Sequence, residues 1–333
     1  MAGRDLVVIG ASAGGVEALT ALAARLPADL KAAVLVVLHL SPTHKSVLPQ
    51  ILRAAGPLPA KPAVDGEAIL PGTIYVAGPD RHLVVEDSHL FLPRTARENG
   101  HRPAVDSLFR SAAVHYGART VGVVLSGALD DGTAGLHAVK RRGGVTIVQD
   151  PEEALCGDMP RSALQNVEVD HCLPIAGIAA LIARLASDKA PLPESPPVRG
   201  LDSHESRLAA SLTALDMQPP GTPSPFGCPT CGGVLNEVHD GGQIRFRCRV
   251  GHGFTPETLR AEQRLSLEAA LWTAVRALEE QAALAHRLAG RSREQGRVSS
   301  AERNEERAQD AEQRARQIRQ VLMTAPAMGD EPG

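Results

Sequence analysis

The sequence predicts an α/β protein. A doubly wound, mostly parallel sheet is followed by a small β-hairpin metal knuckle and a C-terminal helical hairpin or coiled coil. Three observations lead there. Residues 6–9, 33–38, 120–125 and 145–148 are short, nearly unbroken runs of Val, Leu and Ile, the pattern of parallel strands covered on both faces. Segments with helical spacing alternate with them, as in βαβ units. Beyond a proline-rich break at residues 188–197, the chain changes to a Cys-x-x-Cys segment and then to long stretches rich in Arg, Glu, Ala and Leu. These breaks give segments 1–187, a linker 188–226, a metal-knuckle segment 227–255 and a helical segment 256–325.

Composition narrows the function classes. A chain of 333 residues is long enough for about two domains. Hydrophobic residues at 43% and charged residues at 22% are the balance of a soluble globular protein. Aromatics are only 2%, so the core must be aliphatic, which favours close helix-on-sheet packing over a wide aromatic pocket. A net charge of −3 gives no electrostatic footprint for nucleic acid. No window approaches the roughly 20 apolar residues of a membrane span, and residues 1–5 lead directly into a strand without a signal-peptide pattern. Five cysteines, two of them as Cys228-x-x-Cys231, point to metal binding in a reducing compartment rather than to a disulfide framework. The expected setting is cytoplasmic, with no nucleic-acid partner and no membrane insertion.

The first strand runs into Gly10-Ala-Ser-Ala-Gly-Gly15 and a helix over 16–24. Gly10-x-Ser12-x-Gly14 matches a nucleophile elbow, in which small neighbours let the backbone bend sharply and lift the Ser12 hydroxyl beyond the strand end. Amides opening the next helix lack intrahelical partners and can hold a developing oxyanion. The same turn can cradle a phosphate, although it lacks the Lys-Ser/Thr of a nucleotide loop and the full dinucleotide spacing. Ser12 can also be simply a helix cap.

The 33–38 strand ends at His39-Leu-Ser-Pro42, before a helix over 46–55 and a proline-rich passage. A strand at 74–77 follows, then a hairpin of 82–86 with 90–92 around Asp87-Ser88, and a helix over 104–115. The 120–125 strand ends at Ser126-Gly-Ala-Leu-Asp-Asp-Gly132. A helix over 136–142, the 145–148 strand and helices over 159–164 and 175–185 close the domain.

In open α/β sheets, ligands bind beyond the carboxyl ends of the strands. Ser12, His39 and the pair Asp130-Asp131 all lie just past such ends, so one sheet edge would carry a nucleophile, a general base and an orienting carboxylate for acyl transfer. Singly, a strand-end His or an Asp-Asp-Gly turn is as readily structural. The coincidence of all three is what points to an enzyme.

At this point the chain resembles a known family, the catalytic domain of chemotaxis protein-glutamate methylesterases of the CheB type. The resemblance covers roughly residues 5–187. It rests on Ile9-Gly-Ala-Ser-Ala-Gly-Gly15, His39-Leu-Ser-Pro42, Pro71-Gly-Thr-Ile-Tyr-Val-Ala-Gly-Pro-Asp-Arg-His82, Gly100-His-Arg-Pro-Ala-Val-Asp106, Leu125-Ser-Gly-Ala-Leu-Asp-Asp-Gly132 and Gln149-Asp-Pro-Glu-Glu-Ala154 with Met159-Pro160. It implies Ser12 as nucleophile, His39 as base and Asp131, rather than Asp130, as the acidic member, because the family's acid directly precedes the glycine of its loop. The implied reaction is hydrolysis of glutamate γ-methyl esters on the cytoplasmic helices of chemoreceptors, with glutamine deamidation as a second activity of some members. The backbone N–H of Ala13 is the expected oxyanion donor, and catalysis needs no cofactor.

The sequence departs from the family at Ala13, commonly Thr, and at Ala128-Leu129, where the family has Met-Gly. With its first strand at residue 6, no N-terminal receiver domain is expected. Two other readings stand beside the methylesterase: a non-catalytic protein that binds receptor helices as a scaffold, and a serine hydrolase acting on a protein ester outside chemotaxis.

In the second half, Cys228-Pro-Thr-Cys231, a hairpin around Gly241-Gly242, and Cys248 with His252 read as a zinc-ribbon-like knuckle with a Cys₃His ligand set for structural Zn²⁺. A redox dithiol lacks its usual βαβ setting here, and a metal-free hairpin is the plain alternative. A short helix over 206–215 is expected within the linker. From residue 256, Leu259, Leu265, Leu271, Val275, Leu278, Ala282 and Leu288 form a stripe at three- and four-residue steps beside Trp272. An interruption at 292–300 precedes a charged helix over 301–322. The leucines call for a partner in this chain or another, and the charged helix alone reads as a solvated face.

Overall fold

The computed structural model describes residues 3–39, 46–188, 221–240 and 243–324. Two compact units divide the chain, residues 1–259 and 260–333. The expected segments 1–187 and 227–255 both fall inside the first.

The strands of that unit's main sheet are β1 (Leu6–Ala11), β2 (Ala33–Leu38), β3 (Ala60–Pro62), β4 (Ile74–Val76), β7 (Thr120–Val124), β8 (Val145–Gln149) and β9 (His171–Leu173). They lie in the order β3-β4-β2-β1-β7-β8-β9, and every neighbouring pair is parallel. A separate hairpin joins β5 (Val84–Glu86) to β6 (His89–Phe91) through Asp87 and Ser88, both at positive φ, where the sequence places it.

Successive strand residues point to opposite faces, and β1 shows both. Val7, Ile9 and Ala11 enter one core with α1 (Gly15–Ala23), α2 (Leu48–Ala55) and α6 (Ile175–Ser187). Leu6 and Val8 enter the other, beneath α3 (Val105–Tyr116), α4 (Thr133–Arg141) and α5 (Asp158–Asn166). The architecture is therefore the doubly wound α/β sheet that the apolar runs predict. β3 and β9 escape sequence reading because each has three residues and no apolar run, and β3 sits inside the proline-rich passage.

Gly10 fixes how α3 approaches the sheet. A Cβ placed there would lie 2.2 Å from Cγ1 of Val105, the first residue of α3. Only a glycine lets that helix begin directly over β1, close to the residues that follow the strand.

The Cys-rich segment is larger than the expected hairpin. β10 (Thr222–Gly227), β11 (Val234–Asp240), β12 (Gln243–Cys248) and β13 (Gly253–Phe254) form a four-stranded antiparallel sheet in that order. All of β10 but its last residue lies within the stretch read as linker. Its Pro223 and Pro225 obscured it in sequence, yet they are tolerated on an edge strand, where proline's missing N–H need not cost a ladder bond. The helix expected at 206–215 and the glycines at 241 and 242 lie outside the described residues.

In the second unit, α7 (Pro256–Glu294), taken from residue 260 onward, packs against α8 (Val298–Thr324). The interruption expected over 292–300 shrinks to residues 295–297, with Gly296 at positive φ. The buried seam also differs from the leucine stripe. Val275 and Ala282 of that stripe are buried, together with Ala285, Ala289, Ala301, Ala308, Ala311 and Ala315, whereas Leu265, Leu288 and Trp272 are exposed. Small side chains let the two helices approach closely, and pairs such as His286 with Glu312 (2.9 Å) and Glu279 with Arg319 flank the seam. No described helix is long and apolar enough to cross a membrane.

Gly10→Ala should force α3 off β1 and destabilise the first unit by about 1–3 kcal/mol, the usual cost of overpacking. A denaturation midpoint unchanged from the parent protein would show that the helix is not seated as described.

Candidate active site

Three adjacent strands, β2, β1 and β7, deliver the site. Ser12 follows β1, His39 follows β2, and Asp131 lies in the loop after β7, all beyond carboxyl ends near the centre of the sheet. Backbone bonds extend the ladder past the strands. Ser12 N–H donates to Ser126 O (2.9 Å), His39 N–H to Ala11 O (3.2 Å) and Leu125 N–H to Gly10 O (2.9 Å). The elbow turns through Gly14 at φ 71°, where Gly15 N–H returns to Ser12 O (2.9 Å). At Gly14 a Cβ would collide with Leu155 Cβ and Ser126 Oγ, at 2.6 and 2.7 Å.

The side chains of Ser12, His39 and Asp131 form a continuous line. His39 Nδ1 lies 3.1 Å from Ser12 Oγ, and its Nε2 lies 2.7 Å from Asp131 Oδ2. An ionised carboxylate only accepts, so the proton belongs on Nε2 and the free lone pair of Nδ1 faces the serine. Asp130, the sequence alternative, points elsewhere: its Oδ1 accepts from Thr258 Oγ1 (2.7 Å). Burial pushes the Asp130 carboxyl up to about 6, against the hydrogen bonds of Thr255 and Thr258.

Asp131 is buried and held by four N–H groups. Its Oδ2 also accepts from Val105 N–H (2.7 Å), and its Oδ1 accepts from Asn99 Nδ2 (2.9 Å) and Asp106 N–H (3.2 Å). The amides of Val105 and Asp106 open α3, a helix N-terminus that favours negative charge. Burial alone would raise this carboxyl. The hydrogen bond and charge of His39 and the Asn99 donor are among the effects that outweigh it and hold Asp131 at about 2. Its neighbour Asp106 goes the other way, pushed up to about 7 by burial and by the Asp131 charge.

Sequence reading missed three groups here. His101 stacks on His39 with ring centroids 3.6 Å apart and planes within 12°. Burial and the neighbouring His39 push it down to about 4, so it stays a neutral platform near neutrality. Asn99 bridges the two carboxylates, its Nδ2 also reaching Asp106 Oδ2 (2.9 Å). Asp106 Oδ1 accepts the amides of Gly132 (3.1 Å) and Gly135 (2.6 Å), tying the Asp131 loop to α3. A signal for Asn99 was present: Asn-Gly is the preferred centre of a two-residue hairpin turn with both φ angles positive, and Asn99 and Gly100 have φ 50° and 75°.

A second cluster lies in the antiparallel sheet. Ligand atoms of Cys228, Cys231, Cys248 and His252 all fall within 4.8 Å of one another. Cys231 Sγ is 3.7 Å from Cys248 Sγ, and His252 Nδ1 is 3.7 Å from Cys228 Sγ and 3.5 Å from Cys248 Sγ. A tetrahedron with metal–sulfur bonds of about 2.3 Å has edges of roughly 3.8 Å, so the four residues fit a metal of Zn²⁺ size. Leu235, Phe246, Phe254 and Leu259 pack around the two buried cysteines.

Known proteins are similar over the α/β region. The CheB methylesterase family matches residues 7–182, just over half of the chain and ending before the Cys-rich sheet. A "putative protein-glutamate methylesterase/protein-glutamine glutaminase" of Leptospira interrogans is 36% identical over 182 residues, covering 54% of this chain and 94% of its own length. "Protein-glutamate methylesterase/protein-glutamine glutaminase 3" of Burkholderia lata is 38% identical over 189 residues, 55% of this chain but 52% of that protein, so the chain spans about half of that relative. The solved CheB methylesterase catalytic domain of Thermotoga maritima is 34% identical with a TM-score of 0.53, over 56% of this chain and 100% of that one.

Because the folded pKa of Asp131 lies below the ordinary carboxyl value of 3.8, its charge stabilises the fold at every pH above about 4, and that contribution disappears as the pH falls towards 2. Asp131→Asn should therefore flatten the acid limb of stability between pH 4 and 2. The same acid limb in parent and variant would contradict the assignment.

Proposed function

This chain belongs to the CheB methylesterase family, and from that premise we propose that it hydrolyses glutamate γ-methyl esters on chemoreceptors through Ser12, His39 and Asp131. The observation that carries the reading is the unbroken Ser12–His39–Asp131 line inside the segment the family matches. The receptor helices that bear such esters put the reaction in the cytoplasm.

In this mechanism His39 Nδ1 removes the Ser12 proton as Oγ attacks the ester carbonyl. The Nε2–H bond to Asp131 stabilises the imidazolium that forms, and Asp131 itself stays ionised. The N–H of Ala13, next to the nucleophile, is the proposed oxyanion donor, contributing on the order of 3 kcal/mol. Collapse of the tetrahedral intermediate expels methanol, with the departing oxygen taking the proton from Nδ1. Water, deprotonated by the same nitrogen, then hydrolyses the acyl-enzyme to the glutamate carboxylate and frees Ser12. Glutamine deamidation follows the same steps with ammonia as leaving group, and the names of the Leptospira and Burkholderia relatives carry both activities.

The Cys₃His cluster is proposed to hold a structural Zn²⁺. Four protein ligands leave no open position, so the metal would cross-link the turns of the small sheet and take no part in the ester chemistry. Segments 1–187 and 227–255 would thus be a catalytic and a structural element, and the exposed leucines of α7 would meet a partner or a second copy of the chain.

Ser12→Ala should abolish methanol release from methyl-labelled receptor membranes, and Asp131→Asn should lower kcat about 10⁴-fold, as loss of the orienting carboxylate does in other serine hydrolases. Full release by Ser12→Ala would end the reading. Elemental analysis of the purified chain should give one zinc per molecule, lost in Cys228→Ser with Cys248→Ser. A folded protein without metal would remove the zinc proposal.

A further inference from the structure

The antiparallel sheet is docked on the two-residue turn that carries Asn99, within the same compact unit as the triad. Glu98 and His101 close this hairpin by exchanging both backbone hydrogen bonds, Glu98 N–H to His101 O (3.1 Å) and His101 N–H to Glu98 O (2.9 Å). One side of the hairpin faces the triad, through Asn99 on Asp131 and His101 on His39.

The other side faces the small sheet. Glu98 is only 3% exposed and lies against three buried guanidinium groups. Arg110, from α3, reaches Oε2 at 2.5 Å, while Arg245 and Arg247, both from β12, reach Oε1, the latter at 3.2 Å. The backbone continues the joint. Asn99 N–H donates to Gly253 O (2.8 Å), and Gly253 N–H donates to Arg97 O (3.3 Å). Thr255 N–H donates to Asn99 Oδ1 (3.1 Å).

The Asn99 amide is thereby fully committed. Its carbonyl oxygen accepts from the small sheet, and its two N–H bonds go to the carboxylates of Asp106 and Asp131. An amide has one rigid plane, so whatever fixes its oxygen also fixes the direction of both donors. Nothing in the proposed chemistry requires an ester hydrolase to reach 124 positions along the chain to orient a carboxylate. Yet Asn99 connects residue 131 to residue 255 on either side of it.

We propose that Asn99 is a positioning residue for Asp131 and that the Cys-rich sheet, clamped on Glu98 and Asn99 by Arg245, Arg247 and Thr255, sets its aim. The clamp residues are interleaved with the metal-ligand candidates: Cys248 follows Arg247, and His252 precedes Gly253. Cys248 N–H donates to His252 O (3.0 Å), and Arg247 Nη1 donates to Gly251 O (2.8 Å), closing that turn. The sheet is therefore part of the working triad rather than an appended module. This deepens the methylesterase reading and rests on it for its functional consequence, but the geometry can be tested without turnover.

The test uses the full chain and the low-field ¹H resonance of His39 Nε2–H, assigned by its loss in His39→Ala. Asn99→Gly keeps a residue that tolerates positive φ and removes the bridge. Arg245→Leu with Arg247→Leu releases the sheet while Glu98 keeps Arg110. Both proteins should show this resonance shifted or broadened by solvent exchange, and methyl-ester hydrolysis should fall about 10- to 100-fold, the cost of slight misplacement at a reacting centre. Asn99→Asp, which retains the shape and loses the donor, should not rescue either readout.

An unchanged resonance in Asn99→Gly would overturn the positioning role. An unchanged resonance in the double arginine variant, with loss in Asn99→Gly, would overturn the part assigned to the sheet. If the parent protein shows the resonance yet hydrolyses no methyl ester, the methylesterase reading fails while the clamp is still judged by the resonance. Circular dichroism guards against misfolding, and a resonance lost with the whole fold would be replaced by the milder Arg247→Lys, for which partial retention is expected and full parental behaviour counts against the clamp.

Discussion

The site depends on one buried negative charge. Asp131 is removed from water, which by itself disfavours ionisation. Its charge survives because α3 begins directly above it and because His39 and Asn99 donate to it. That start of α3 depends in turn on Gly10, the only kind of residue that leaves room for Val105 against β1. A backbone constraint in the first strand and the electrostatics of the last triad member are thus one arrangement.

Charge is distributed in pairs of opposite tendency around this point. Asp131 is held ionised while Asp106, buried in the same corner, is pushed towards its neutral form by burial and by Asp131 itself. His101 is kept neutral beside His39, so the stacked rings do not carry two positive charges. Glu98, on the far side of the same hairpin, stays ionised despite burial because three arginines surround it. A buried pair of this kind is weak as a source of stability but costly to break, which suits a joint that must hold a turn in place.

Much of this was legible in the sequence, and the limits are physical. Ser12, His39 and the Asp130-Asp131 pair could be aligned because long apolar runs mark parallel strands, and strand ends in such a sheet share an edge; the choice of Asp131 came from the family resemblance. The four metal-ligand candidates were legible from the Cys-x-x-Cys spacing. Asn99 was not singled out, since an Asn-Gly pair marks a turn without saying what the side chain meets. The Glu98–Arg245 contact spans 147 positions, and each residue alone resembles an ordinary surface charge. β10 was hidden by its prolines, and the leucine spacing of α7 misplaced a seam that alanines make.

The central claim is that His39 and Asp131 activate Ser12. Treating the intact protein with a fluorophosphonate and locating the adduct by mass spectrometry tests it most directly. The account predicts one adduct per chain, on Ser12, and none in His39→Ala. Equal labelling of Ser12 in the parent and in His39→Ala, or an adduct on another residue with Ser12 untouched, would contradict it.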